Sequence, residues 1–371
     1  MVDKELQPAK SLVDSGWQQA RQPELWRTTL EDATQKLKQA ELVVATREAT
    51  PELIDQVGAV RRELDKALQA LQLAVEIDGC LAGILAGHQN YAEAAKSLPA
   101  IFNRAGIDVL GSDSDRIADW VKHHPVSDSL VVILAAWSFW ETDSEITKRL
   151  GNILLKIDPS RIFAGMQWLI ALRMKNTAQL ERLAQSPDAM IMPPKALVLM
   201  GIALRWSGDS DAAVRMLRRW QALYPDEFWL NLQLGHELLG LKEPRPREAI
   251  SYMLVAVALR KEYSRSHFGL ASAYDAAGDH VEALDAYEKA LDCGLKQADL
   301  ESAKWLRAAI ERWSNLAREN KQAGRVQDAI KRWQALRDRV TVARLSPEEQ
   351  KAWTEFWIDL DELLKRVQVK K

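Results

Sequence analysis

Small residues return along this chain at a nearly constant offset, and that recurrence restricts the fold more than any single motif does. Gly201, Gly235 and Ala271 lie 34 and then 36 residues apart, while Ala213, Ala249 and Ala283 lie 36 and then 34 apart. A two-residue insertion in the middle turn, "GLKEPRPREA", accounts for both series at once. Each small residue sits in an apolar pattern of helical period: Leu197, Gly201 and Leu204; Leu234, Gly235 and Leu238; Leu270, Ala271 and Tyr274; Trp313, Leu316 and Ala317. Two helices cross closely only where their side chains are small. The first-helix residues are therefore expected to face Ala213, Ala249, Ala283 and Ala329 on the second helices. Gly208, Gly278 and Gly324 stand in the turns, where each is expected to end the first helix in the left-handed conformation.

A helix–turn–helix unit of this length and wording resembles the tetratricopeptide repeat. The resemblance implies an all-α chain wound as a right-handed α–α superhelix over residues 126–345. Looser pairs extend the array upstream, in "SLVVILAAWSFWETDSEITKRLGNILLKIDP" and "FAGMQWLIALRMKNTAQLERLAQSP".

Residues 1–125 are expected to form a separate helical region built on a long hairpin. Leu25, Trp26, Leu30, Ala33, Leu37, Ala40 and Leu42 share one face of its first helix. Thr50, Pro51 and Glu52 start the second. That helix is expected to run on through Gly79, Gly83 and Gly87, whose four-residue spacing suits close packing against another helix. "AGIDVLGSDSD" reads as a loop. At the other end, residues 346–371 are expected to form a capping helix, with Ser346, Pro347 and Glu349 as its start signal.

Composition narrows the function classes. A formal net charge of −2 favours neither nucleic acid nor an anionic membrane. Only Cys80 and Cys293 are present, which suits a reducing compartment and excludes a disulfide framework. The N-terminus lacks signal-peptide character, and the longest apolar run, Leu130 to Trp137, falls well short of the ~20 residues of a membrane span. A cytoplasmic location without membrane contact is the expectation. The six histidines form no metal-ligand spacing, so no metal and no cofactor are expected. Most of the fourteen tryptophans, Trp313 and Trp333 among them, read as core. Asp275, Asp279, Glu282, Asp285 and Glu288 read as a solvated helix face, as do the interleaved bases Arg318, Lys321 and Arg325.

A narrower resemblance covers Pro193 to Arg260 and extends more loosely over residues 20 to 295. Pro194, Leu197, Val198, Leu199, Ala203, Leu204, Arg205, Gly208, Asp209, Ala213, Val214, Pro225, Phe228, Trp229, Asn231, Gly235, Pro244 and Pro246 match wording similar to the C-terminal repeat region of planctomycete-type serine/threonine protein kinases. The chain shows no Gly-rich nucleotide loop, H-R-D loop or D-F-G site, so kinase activity is not expected. What the resemblance implies is a non-catalytic accessory array, free-standing or part of a larger kinase.

Carried over from the repeat, the first helices imply a partner-binding groove. Its residues are Ile202 and Trp206; Trp229, Leu232, Gln233 and His236; Arg265, Phe268, Ser272 and Asp275; then Asn315 and Arg318. The lysine and asparagine clamp of chaperone-binding relatives is absent, with Val198, Ile202 and Gln233 at its positions. The groove would be aromatic at one end and basic at the other, suiting a protein or peptide partner with an acidic end. Self-assembly through the glycine-rich helix is the alternative.

Overall fold

The computed structural model describes residues 2–20, 22–46, 50–85, 91–157, 176–186, 192–297, 300–322 and 347–368, with several positions between 324 and 334. All secondary structure among these is helical. The chain divides into two compact units, one of Met1–Met174 with Ser186–Ala196, the other of Lys175–Gln185 with Leu197–Lys371.

The first unit holds α1 (Val2–Gln18), α2 (Pro23–Thr46), α3 (Pro51–Leu85), α4 (Tyr91–Arg104), α5 (Ser114–His123), α6 (Ser127–Trp140) and α7 (Ser144–Ile157). Helices α2 and α3 pack as the expected hairpin, and α1 lies against both. On α2 the buried set is Pro23, Trp26, Leu30, Ala33, Leu37 and Ala40. Leu25 and Leu42 instead point outward, because the stripe is narrower than the composition of the helix suggests. At the hairpin turn Thr50 Oγ1 accepts from the Leu53 N–H at 3.4 Å, starting α3 as its sequence indicates. Arg61 Nε reaches Glu41 Oε1 across the hairpin at 2.9 Å.

Helix α3 does run on through Gly79 and Gly83. The close packing expected of this stripe is not met at Gly79, where a Cβ would enter open space. Gly87 lies outside the described residues. The loop at 105–113 is present and held from two sides. Arg149 Nε donates to Val109 O at 2.8 Å, and Asp113 caps α5 by accepting from the Asp115 and Arg116 amides. The apolar run Leu130–Trp137 lies in α6, with Leu130, Ile133, Leu134 and Trp137 buried.

The second unit holds α8 (Thr177–Gln185), α9 (Pro194–Trp206, from Leu197 onward), α10 (Ser210–Leu223), α11 (Phe228–Leu239), α12 (Pro246–Leu259), α13 (Ser264–Ala277), α14 (His280–Gln297), α15 (Leu300–Glu319) and α16 (Pro347–Gln368). Three helix pairs, α9/α10, α11/α12 and α13/α14, follow the sequence register. Their crossings fall at the recurring small residues. A Cβ on Gly201 would lie 2.9 Å from Leu217, and one on Gly235 2.7 Å from Met253. Each glycine thus receives the large residue one turn beyond the second-helix alanine, while Ala213, Ala249 and Ala283 are themselves fully buried.

The turns repeat a single closure. After α9, Gly208 takes φ 94° and the Asp209 N–H bonds to Leu204 O; after α13, Gly278 takes φ 81° and the Asp279 N–H bonds to Tyr274 O. In the fourth unit Lys321, at φ 58°, takes that place, with the Gln322 N–H on Ala317 O. Gly324 is therefore not the left-handed terminator the spacing suggests. Helix α15 stops at Glu319, and Gly324 already belongs to helical backbone. In the middle turn the insertion replaces the closure with a longer bridge, the Arg245 N–H to Leu238 O at 3.0 Å, and Pro246 opens α12.

Between successive units, arginines meet carboxylates. Arg215 meets Glu181, Arg218 meets Glu248, Arg247 meets Asp279, Arg312 meets Asp275, and Arg325 meets both Asp285 and Glu288. Asp275, Asp279, Asp285 and Glu288 are thus not merely a solvated face; they bridge to the neighbouring repeats. Arg325 likewise leaves the solvated basic set. Helix α16 packs on α15 and buries Trp353, Phe356, Trp357 and Leu360. Ser346 and Trp333 lie outside the described residues, as does the side chain of Glu349.

Candidate protein-interaction face

The first helices of the second unit position the expected groove residues unequally. On α11 nearly every side chain is buried, because α10, α12 and α13 all pack on it. Trp229, Leu232 and Gln233 are among those covered, and Ile202 on α9 is covered too. Trp229 forms an edge-on cluster with Phe228 and Tyr263, with the Arg260 guanidinium 5.3 Å from its ring centre. These four groove candidates build the core beneath the face and cannot be reached by a partner in this arrangement.

The remaining candidates stay accessible. Trp206 is 38% exposed at the end of α9. On α13, Arg265, Phe268, Ser272 and Asp275 follow at intervals of three, four and three, so they share one stripe, and all are half-buried. Phe268 meets the Tyr287 ring edge-on at 5.7 Å, and Ser272 Oγ donates to Phe268 O at 3.0 Å. Asp275 accepts from Arg312 Nε at 2.6 Å and lies 3.4 Å from His280 Nδ1. On α15, Asn315 is half-buried and Arg318 is exposed, its Nη2 donating to Ser314 Oγ at 2.7 Å.

His236 joins these stripes. A Cβ on Gly269 would lie 2.9 Å from its Nε2, so the ring fills the space that glycine leaves between α11 and α13. Burial, reinforced by Arg265 and Arg205, pushes the imidazole down to about 3, so it is neutral at physiological pH.

Beside it sits Glu237, a residue the repeat register did not single out. It is 1% exposed. Arg205 Nε stands 2.9 Å from its Oε1, Gln233 Nε2 donates to the same oxygen, and Oε2 has no hydrogen-bond partner. Burial raises this carboxyl to about 7, against the opposing pull of Arg205 and Gln233. A signal was present in the sequence: an acid inside "LQLGHELLG" breaks an apolar run, and Arg205 precedes it by 32 residues, close to one repeat.

The arrangement is therefore a strip crossing α9, α11, α13 and α15. It carries an exposed indole, a half-exposed phenyl ring and accessible guanidinium groups over a buried carboxyl and a neutral imidazole. Among the described residues no cluster of metal-ligating side chains occurs, and no helix is long and apolar enough to cross a membrane.

Stacked helix pairs with this register and these small-residue crossings are similar to tetratricopeptide-type repeats. Residues 190–268 and 264–340 match the tetratrico peptide repeat family. Among solved structures, MamA from residue 41 to its end, from Desulfovibrio magneticus RS-1, is 19% identical over 49% of this chain and 97% of its own, at a TM-score of 0.36. The MamA RS-1 ArsTM double mutant is 19% identical over 56% and 96%, also at 0.36. A further crystal structure of MamA is 17% identical over 56% and 94%, at 0.34. No curated protein matches significantly.

Proposed function

We propose that this chain is a non-catalytic scaffold that holds another protein against the first-helix face of its repeats, through Trp206, His236, Arg265, Phe268, Ser272, Asp275, Asn315 and Arg318. The observation that carries the reading is the accessible stripe on α13, flanked by the exposed indole of Trp206 and the exposed Arg318. Aromatic and guanidinium side chains are the groups that most often anchor protein contacts. Arg265 and Arg318 bring guanidinium groups to this face, which suits an acidic segment of the partner.

The test is affinity capture from lysate of the source cells, with the parent chain and a Phe268→Ala/Arg265→Glu variant of unchanged helicity. Proteins retained by the parent and lost by the variant support the reading. An identical set on both would refute it.

The wording of Pro193 to Arg260 favours one further possibility, that the array works beside a serine/threonine kinase. Recovery of a kinase in the parent-specific fraction would support that partner class.

A further inference from the structure

We infer that the first unit carries a second, separate site: a cleft between α1, α3, α4 and the end of α5 that binds a small planar aromatic anion. The cleft encloses about 480 Å³, within the roughly 300–1,000 Å³ typical of small-molecule sites. Helix α3 supplies one wall through Lys66, Leu73 and Glu76, which recur at helical spacing; Arg104 and Trp120 close the other side.

Two indoles line this space, and neither is spent on the core. Trp17 and Trp120 are half-buried, whereas Trp26, Trp137, Trp220, Trp229, Trp313 and Trp353 are fully buried. Trp17 packs against Trp26 at 5.6 Å between ring centres, and Trp120 against His124, itself a lining residue, at 4.7 Å. Such rings present flat apolar surfaces suited to stacking.

The polar lining selects the charge. Glu76 is the lining carboxylate, and both of its oxygens are engaged, Oε2 by Arg104 Nη2 at 2.8 Å and Oε1 by Gln72 Nε2 at 2.7 Å. Against it stand two lining cations, Arg104 and Lys66, the latter also meeting Glu63 at the exposed rim. His124 adds a donor. Its Nδ1 accepts from the Val126 N–H at 3.3 Å, so the ring proton belongs on Nε2, and burial holds the imidazole neutral, at about 4. Two cations against one carboxylate leave the lining with a formal charge of +1, and a ligand that brings a negative charge complements it.

The experiment titrates the full chain with 2-naphthoate by calorimetry, using 2-naphthylmethanol as the neutral ring control. Saturable single-site binding of the acid is expected, with the alcohol weaker by roughly tenfold, the effect of one well-placed charge. Arg104→Ala should weaken binding roughly fivefold, and Glu76→Gln should tighten it by removing the competing charge. Opposite signs for two neighbouring substitutions cannot arise from general damage to the fold. Equal affinity for acid and alcohol, no saturation at millimolar ligand, or weakening by both substitutions would overturn the proposal.

Discussion

Glu237 provides the sharpest quantitative test of the repeat core. Burial moves its carboxyl from the ordinary 4.5 to about 7, and that displacement corresponds to about 3 kcal/mol between the two protonation states. Because the folded-state value lies above the unfolded one, the folded chain holds the proton more tightly. The associated stability is fully present below pH 4.5 and is lost as pH rises towards and through 7. Glu237→Gln keeps the shape, keeps an acceptor for Gln233 and removes the charge. At pH 8 the variant should therefore be more stable than the parent by up to about 3 kcal/mol, and at pH 4.5 nearly equal to it.

The measurement is amide exchange of α11, comparing variant with parent at the same pH so that intrinsic exchange cancels. Protection in the variant should rise at pH 8 by on the order of a hundredfold, with a ratio near one at pH 4.5. The comparison must be a difference between chains. His236, held down at about 3 next door, has the opposite dependence: its contribution is present above the unfolded value of 6.5 and is lost as pH falls. Between about 4.5 and 6.5 the two slopes oppose each other in the parent. A ratio independent of pH would refute the argument. Destabilisation of the variant at both values would show that the ion pair with Arg205 outweighs the cost of burying the charge.

Other consequences can be checked by melting curves and binding. Gly235→Leu drives a side chain into Met253, which lies 2.7 Å from the first added carbon, and should cost about 1–3 kcal/mol through overpacking. An unchanged melting temperature would remove the crossing from the α11/α12 pair. Lys321→Gly relieves a left-handed residue at φ 58° and should stabilise the α15 terminus by about 1 kcal/mol; Gly324→Ala, on ordinary helical backbone, should do no harm. Phe268→Ala should weaken capture of a partner by about 2 kcal/mol if the ring is an anchor, with helicity retained. Equal affinity in the variant would move the contact elsewhere on the face.

Periodicity reports burial, and burial in a helical array obeys simple geometry. That is why the small-residue register, the α2–α3 hairpin and the terminal α16 were legible from residue types alone. The glycine at each crossing could be read because only the absence of a Cβ admits Leu217 or Met253 there. Accessibility was less legible, since it depends on how many neighbours a helix acquires. Leu232 and Phe268 occupy corresponding places in the repeat register, 36 residues apart. Yet α11 is enclosed by α10, α12 and α13, so Leu232 is core, while Phe268 remains half-buried.

Charge pairing was hidden for a related reason. Asp275, Asp279, Asp285 and Glu288 lie at surface spacing on their own helices, and their arginine partners sit on other repeats. A local window sees only a polar face. Arg205 and Glu237, like Arg247 and Asp279, stand 32 residues apart, close to the offset that aligned the glycines. Comparing opposite charges over a window around the repeat interval would expose both pairs. A repeat array writes its inter-repeat contacts near the period of its core, in residues that single-helix amphipathicity assigns to solvent.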